Sequence, residues 1–115
     1  MRHDDFCDFV IEQLSELRAL DCRAVFSGHA LWCDKTFFAI VSKGRLYFHA
    51  TDETRADFKS GSGPHLTRGG RPEPDFLEVP RDVVDNAERL LQWAIKSIEG
   101  VREIRNPRRK KIRLR

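Results

Sequence analysis

The chain has 115 residues, enough for one domain whose core needs no disulfide or metal staple. With 40% hydrophobic and 34% charged residues it has the composition of a soluble globular protein, and no apolar run nears the roughly 18–20 residues of a membrane span. Net charge is +3, but the last ten residues hold six of the 21 Lys and Arg and no acid, leaving 15 basic against 18 acidic groups in residues 1–105. The basicity therefore belongs to the tail of a mildly acidic body. The opening MRHDDFCDF carries acids and no apolar signal-peptide core, so the expected compartment is the cytoplasm and no membrane contact is expected.

Asp4 and Asp5 precede Phe6, Phe9, Val10, Leu14 and Leu17, a helical spacing that predicts a first helix over about residues 4–19. Four short strands come next, at about 23–26, 30–33, 36–41 and 45–50. Ser27-Gly28-His29, Asp34-Lys35 and Lys43-Gly44 separate them, each of a length that hairpins use. With Lys43-Gly44 at the corner, side-chain parity sets Val41 opposite Leu46, Ala39 opposite Phe48 and Phe37 opposite Ala50, an apolar face. The reverse face carries Phe38, Ile40, Tyr47 and His49, which is half polar and predicts a meander covered by helices on one side.

Thr51 or Asp52 caps a predicted short helix through Lys59, with Phe58 as its core anchor. Residues 60–75 are rich in Gly and Pro and read as a loop, with a brief strand at His65–Arg68 pairing Phe76–Val79. Pro80 ends that strand and Asp82-Val83-Val84 makes one turn. Asp85 with Glu88 then predicts a capping box for a last helix bearing Leu90, Leu91, Ala94, Ile95 and Ile98, ending at Gly100 or shortly beyond. Trp93 falls at the border of that stripe.

No enzyme signature is found. Gly61-Ser62-Gly63-Pro64 lacks the Lys a phosphate loop needs, and HExxH, EF-hand and GxSxG patterns are absent. No catalytic residue and no cofactor is predicted. Cys7, Cys22 and Cys33 form an odd set without CxxC spacing, which reads as reduced thiols. A three-residue first loop puts Cys22 and Cys33 on opposite faces; a two-residue Gly28-His29 loop puts them on one, and the sequence leaves both open. His29 and Cys33, with Cys22 and His49 nearby, are zinc-type ligands without the close pairing of zinc sites, so no metal is predicted. Phe26, Trp32, Phe37, Phe38, Tyr47 and Phe48 read as core rather than as a base-stacking platform.

The opening helix, Val25-Phe26-Ser27-Gly28-His29-Ala30-Leu31-Trp32, Phe37-Phe38-Ala39-Ile40, Gly44-Arg45-Leu46-Tyr47-Phe48, Asp52-Glu53-Thr54-Arg55 and Phe76-Leu77-Glu78-Val79-Pro80 occur in an order that resembles the N-terminal domain of the TfoX/Sxy family, regulators associated with bacterial competence. The resemblance covers about residues 4–100; residues 101–115 read as a basic tail in place of the second domain of full-length members. Ser27, His29 and Ala30 stand where the family usually has Gly. The resemblance implies an α+β fold, a β-meander of about five to six strands packed in two layers against N- and C-terminal helices. It also implies a non-enzymatic regulatory or interaction role in transcription.

The expected partner is another protein or a second copy of the chain. Contact residues are predicted at the turn Ser27, Gly28 and His29, at Trp32 and at the Gly69, Gly70, Arg71 loop. The alternative is a nucleic-acid accessory protein whose tail (Arg108, Arg109, Lys110, Lys111, Arg113 and Arg115) neutralises phosphates.

Overall fold

Two hairpin corners organise the sheet. The computed structural model describes residues 4–25, 28–58, 63–66 and 70–105. Strands β1 (Leu20–Val25), β2 (Gly28–Cys33), β3 (Thr36–Ser42), β4 (Arg45–His49), β5 (Pro64–Leu66) and β6 (Pro72–Glu78) accompany helices α1 (Asp4–Gln13), α2 (Arg81–Val84) and α3 (Ala87–Arg105). Asp34 and Lys35 (φ 49° and 71°) and Lys43 and Gly44 (φ 54° and 75°) take the paired positive φ of two-residue hairpin turns, whose twist matches that of the flanking strands. The predicted Asp34-Lys35 and Lys43-Gly44 corners are therefore present. The result is an α+β fold, a six-stranded antiparallel sheet in the order β1-β2-β3-β4-β6-β5, packed against α1 and α3.

The first hairpin differs from both predicted loops. Val25 pairs with Gly28, so β2 starts two residues before the predicted Ala30; Phe26 and Ser27, between the strands, lie outside the described residues. The reason is close packing across the sheet. A Cβ at Gly28 would fall on the Val41 carbonyl oxygen, so only glycine lets β2 run alongside β3 from this point. Cys22 then faces Leu31 and Cys33 faces Leu20, which puts both thiols on one face.

The larger correction lies in β3. Val41–Leu46, Ala39–Phe48 and Ile40–Tyr47 pair as parity predicts. Against β2, however, Ala39 pairs with Leu31 and Phe37 with Trp32, leaving Phe38 as the extra residue of a β-bulge. The bulge reverses parity between Phe37 and Ala39. Phe38 is fully buried with its ring 5.7 Å from that of Phe48, inside the main cluster, and Phe37 turns to the other face beside Trp32. The predicted apolar face thus contains Phe38 in place of Phe37. The Ser97 hydroxyl of α3 ties the helix to this point, donating to the His49 carbonyl at 2.8 Å with the Phe38 carbonyl 3.4 Å away.

The first helix stops at Gln13, short of the predicted residue 19. The apolar spacing continues through turns that still seat Leu14 and Leu17 on the core, and Ala19 (φ 58°) reverses the chain into β1. Thr51 does cap the next segment, since its Oγ1 accepts from the Thr54 N–H at 3.3 Å and the Thr54 hydroxyl accepts from the Thr51 N–H at 3.0 Å. In place of the predicted helix this segment forms a 3-10 turn at Arg55–Phe58, and Phe58 is buried as expected, edge-on to Trp93 at 4.9 Å. In the late hairpin Pro64 pairs with Leu77, inside the predicted Phe76–Val79, and past an irregularity His65 pairs with Glu73 and Leu66 with Pro72, earlier along β6 than predicted. Asn86, not Asp85, caps α3: its Oδ1 accepts from the Arg89 N–H at 3.1 Å, while Asp85 ends α2 and its carboxylate accepts from Arg81. Helix α3 continues past Gly100 to Arg105, and Arg102 donates to the buried Thr36 hydroxyl at 3.2 Å.

Two glycines make the packing testable. Gly28→Ala should cost roughly 3 kcal/mol in urea unfolding, because the new methyl meets backbone that cannot give way. In α3, Gly100→Ala would ordinarily gain about 1 kcal/mol of helix propensity, but its Cβ would sit 2.6 Å from the Thr51 methyl. The substitution should therefore destabilise alone and become stabilising in a Thr51→Ser background, where that methyl is gone.

Candidate functional site

Because the bulge turns Phe37 outward, the sheet has two unlike faces. Residues facing the helices belong to the main buried cluster; Ala30, Trp32, Phe37, Ile40, Tyr47, His49 and Phe76 do not. On this outer face a row of rings crosses four strands. Trp32 and Phe37 lie 5.1 Å apart, Phe37 and Phe76 5.1 Å, and Phe76 meets His49 edge-on at 5.4 Å. At the β1 edge the Arg23 guanidinium sits 5.6 Å from the Trp32 ring centre, in cation–π range, and pairs with Asp21 at 3.2 Å. Beside the row Tyr47 packs on His65 at 5.0 Å, and the His65 Nδ1 is 2.7 Å from the Glu73 carboxylate.

The row is half-buried and apolar, with polar handles whose bonding is incomplete. The Trp32 Nε1, His49 Nδ1 and His65 Nε2 are buried without a hydrogen-bond partner among the described residues. A buried polar atom left unpaired costs about 1–3 kcal/mol, so these three atoms are a concentrated cost on one face.

The predicted contact residues do not converge. Trp32 lies in the aromatic row. His29, three positions earlier on β2, points to the opposite face, where its imidazole joins Cys7 and Cys22 with all ligand atoms within 4.8 Å. Gly28 serves the backbone contact with Val41. Gly70 (φ 84°) and Arg71 are exposed beside β6, three strands away from β2 in the sheet order. Ser27, Gly69 and the tail residues Arg108, Arg109, Lys110, Lys111, Arg113 and Arg115 lie outside the described residues. Arg23, Phe37, His49 and Phe76, which complete the row, were not among the residues predicted as contacts. Parity across the Lys43-Gly44 corner already placed His49 on this face; Phe37 needed the bulge, and Phe76 needed the β4–β6 pairing.

The aromatic set read as core therefore divides. Phe38 and Phe48 are core, and Trp32 and Phe37 are not. Cys33 is also set apart from the other thiols: its Sγ donates to the Arg18 carbonyl at 3.4 Å, and burial pushes its pKa up, with Arg102 opposing and Asp34 reinforcing. A thiol held protonated in this way is a poor nucleophile.

A groove of about 270 Å³ between α3 and the segment after β4 is lined by Asp52, Glu53, Arg55, Asp75 and Glu103 among others. A neighbouring groove of about 210 Å³ adds Asp57, Lys96 and Glu99. Both are mainly acidic, and His49 borders the first where the aromatic row ends. Among the described residues no helix is long and apolar enough to cross a membrane.

The order of strands, the helix after the Glu78-Val79-Pro80 segment and the unlike faces are the context for one comparison. The model of the TfoX N-terminal domain matches residues 12–101. The chain belongs to the TfoX N-terminal domain family. The match covers most of the chain, from the end of α1 through most of α3, and leaves Cys7 and the basic tail outside it. No curated protein matches the chain.

Within this family fold His49 gives a pH signature. Burial lowers its pKa below the ordinary value near 6.5, with Asp75 acting to raise it and Arg55 to lower it. A histidine with a lowered folded pKa binds its proton more readily when unfolded, so its contribution to stability is complete above about pH 6.5, falls as pH drops below that value, and levels off under the folded pKa. Thermal unfolding of wild type and His49→Gln between pH 8 and 5 should show the difference in Tm shifting against wild type on the acid side. A constant difference would remove this role.

Proposed function

We propose that this TfoX N-terminal domain chain is a non-enzymatic regulatory module that works by protein contact, with the outer sheet face as its docking surface. The observation that supports this reading most is the row Arg23–Trp32–Phe37–Phe76–His49. Large rings and an arginine, held on the rigid strands of a ladder and only half-buried, are the residue types that carry binding energy in protein interfaces. Family membership supports the regulatory half of the proposal, through the transcriptional role that the TfoX/Sxy resemblance implies.

A photo-crosslinking residue at position 23, at the exposed β1 end of the row, expressed in the native host, tests the surface. It should give a discrete crosslinked product, either with another protein or with a second copy. The same group at Lys96, exposed on α3, should give none. Trp32→Ala with Phe37→Ala should weaken the captured contact at least tenfold and leave the fold intact by circular dichroism. Equal products at both positions, or capture indifferent to the double substitution, would contradict the proposal.

A second reading rests on the charge separation between a body of 15 basic and 18 acidic groups and a final ten residues with six cations. There the chain binds nucleic acid through its tail, without base readout and with a steep loss in salt. Truncation before Asn106 should abolish any such affinity. Affinity that survives truncation excludes the tail as the contact.

A further inference from the structure

We propose that Cys7, Cys22 and His29 form a binding site for a thiophilic d10 cation, with zinc(II) as the ion that fills it. The three side chains come from two elements that the fold presses together. Cys7 lies on the buried face of α1, while Cys22 and His29 lie on the core-facing side of the β1–β2 hairpin, diagonally related through the pairs Cys22–Leu31 and Ala24–His29. Their ligand atoms are all within 4.8 Å of one another, and the Cys7 and Cys22 sulfurs are 3.6 Å apart. Two thiolates bound to zinc at about 2.3 Å with tetrahedral angles have sulfurs about 3.8 Å apart, so the pair is close to a ligating spacing before any ion enters.

The donor set selects the ion. Two sulfurs and one imidazole nitrogen suit zinc(II) or copper(I), and not the oxygen-seeking calcium or magnesium. Binding displaces one proton from each thiol, so the bound zinc is formally neutralised by its two thiolates, and the half-buried positions of Cys22 and His29 leave a side on which water supplies the fourth ligand. The scaffold is firm on both sides. Gly28 is locked against the Val41 carbonyl immediately before His29, and His29 itself pairs with Val41 in the ladder. Cys33, a zinc-type ligand by sequence alone, is directed instead to the Arg18 carbonyl. An ion here would join α1 to the first hairpin and stabilise the fold as a ligand of the native state.

The test uses the full chain, reduced and freed of metal. Titration with zinc against a chromogenic chelator should show one equivalent bound, release of two protons and a rise in Tm. Cobalt(II) should give a thiolate-to-cobalt charge-transfer band with tetrahedral intensity. Cys22→Ala and His29→Gln should each weaken zinc at least tenfold, while Cys33→Ser binds as wild type does. Copper(I) binding in place of zinc, lost in the same variants, would support the d10 site and overturn the assignment of zinc. Absence of a thiolate band with cobalt in the folded wild-type chain overturns the site. So does zinc binding unchanged by Cys22→Ala, or a Cys7–Cys22 disulfide that persists in excess thiol.

Discussion

One extra residue in β3 decides what each face of this protein is. The bulge at Phe38 places two consecutive phenylalanines on the same strand with opposite fates, one against Phe48 under the helices and one beside Trp32 on the open side. Without it the core would lose its central ring and the outer row would break between Trp32 and Phe76. Bulges recur where a strand must re-aim a side chain, and here the re-aimed side chain joins two halves of a surface. Ser97 marks the place from the helix side, its hydroxyl reaching carbonyls of both β3 and β4.

The helix that covers the core is also held at its far end. Arg102 reaches the Thr36 hydroxyl and Arg105 donates to the Lys35 carbonyl, so the C-terminal turn of α3, where cations are favoured, grips the β2–β3 corner. Gly100, close to this grip, lets the helix approach Thr51. The inner face is thus clamped by the helices at several points, while among the described residues the outer-face rings pack chiefly on one another. That asymmetry is the physical basis of the proposal that the outer face is this chain's docking surface.

Much of the fold was legible because its signals are local. Asp34-Lys35 and Lys43-Gly44 gave the corners by spacing, and parity across the second corner gave Val41–Leu46 and Ala39–Phe48. The TfoX/Sxy resemblance was legible in the order of short segments. What escaped depended on distant contacts. Phe37 and Phe38 are chemically identical, so nothing local says which one is extra. The apolar spacing through Leu17 looks helical although the helix ends at Gln13, because turns can bury the same side chains. Gly28 read as a corner residue, while its need is a close approach to Val41, a neighbour only in the folded sheet. The convergence of Cys7 with Cys22 and His29 was invisible for the same reason, since metal-site spacing rules reward ligands close in sequence.

Paired truncations of the two adjacent rings test the central claim most directly. Urea unfolding of Phe38→Ala should show a loss of roughly 3–5 kcal/mol, the cost of emptying a fully buried aromatic site, and Phe37→Ala a loss of roughly 1 kcal/mol. Equal losses, or a larger loss for Phe37→Ala, would mean that the bulge is elsewhere and that the two faces have been assigned the wrong way round.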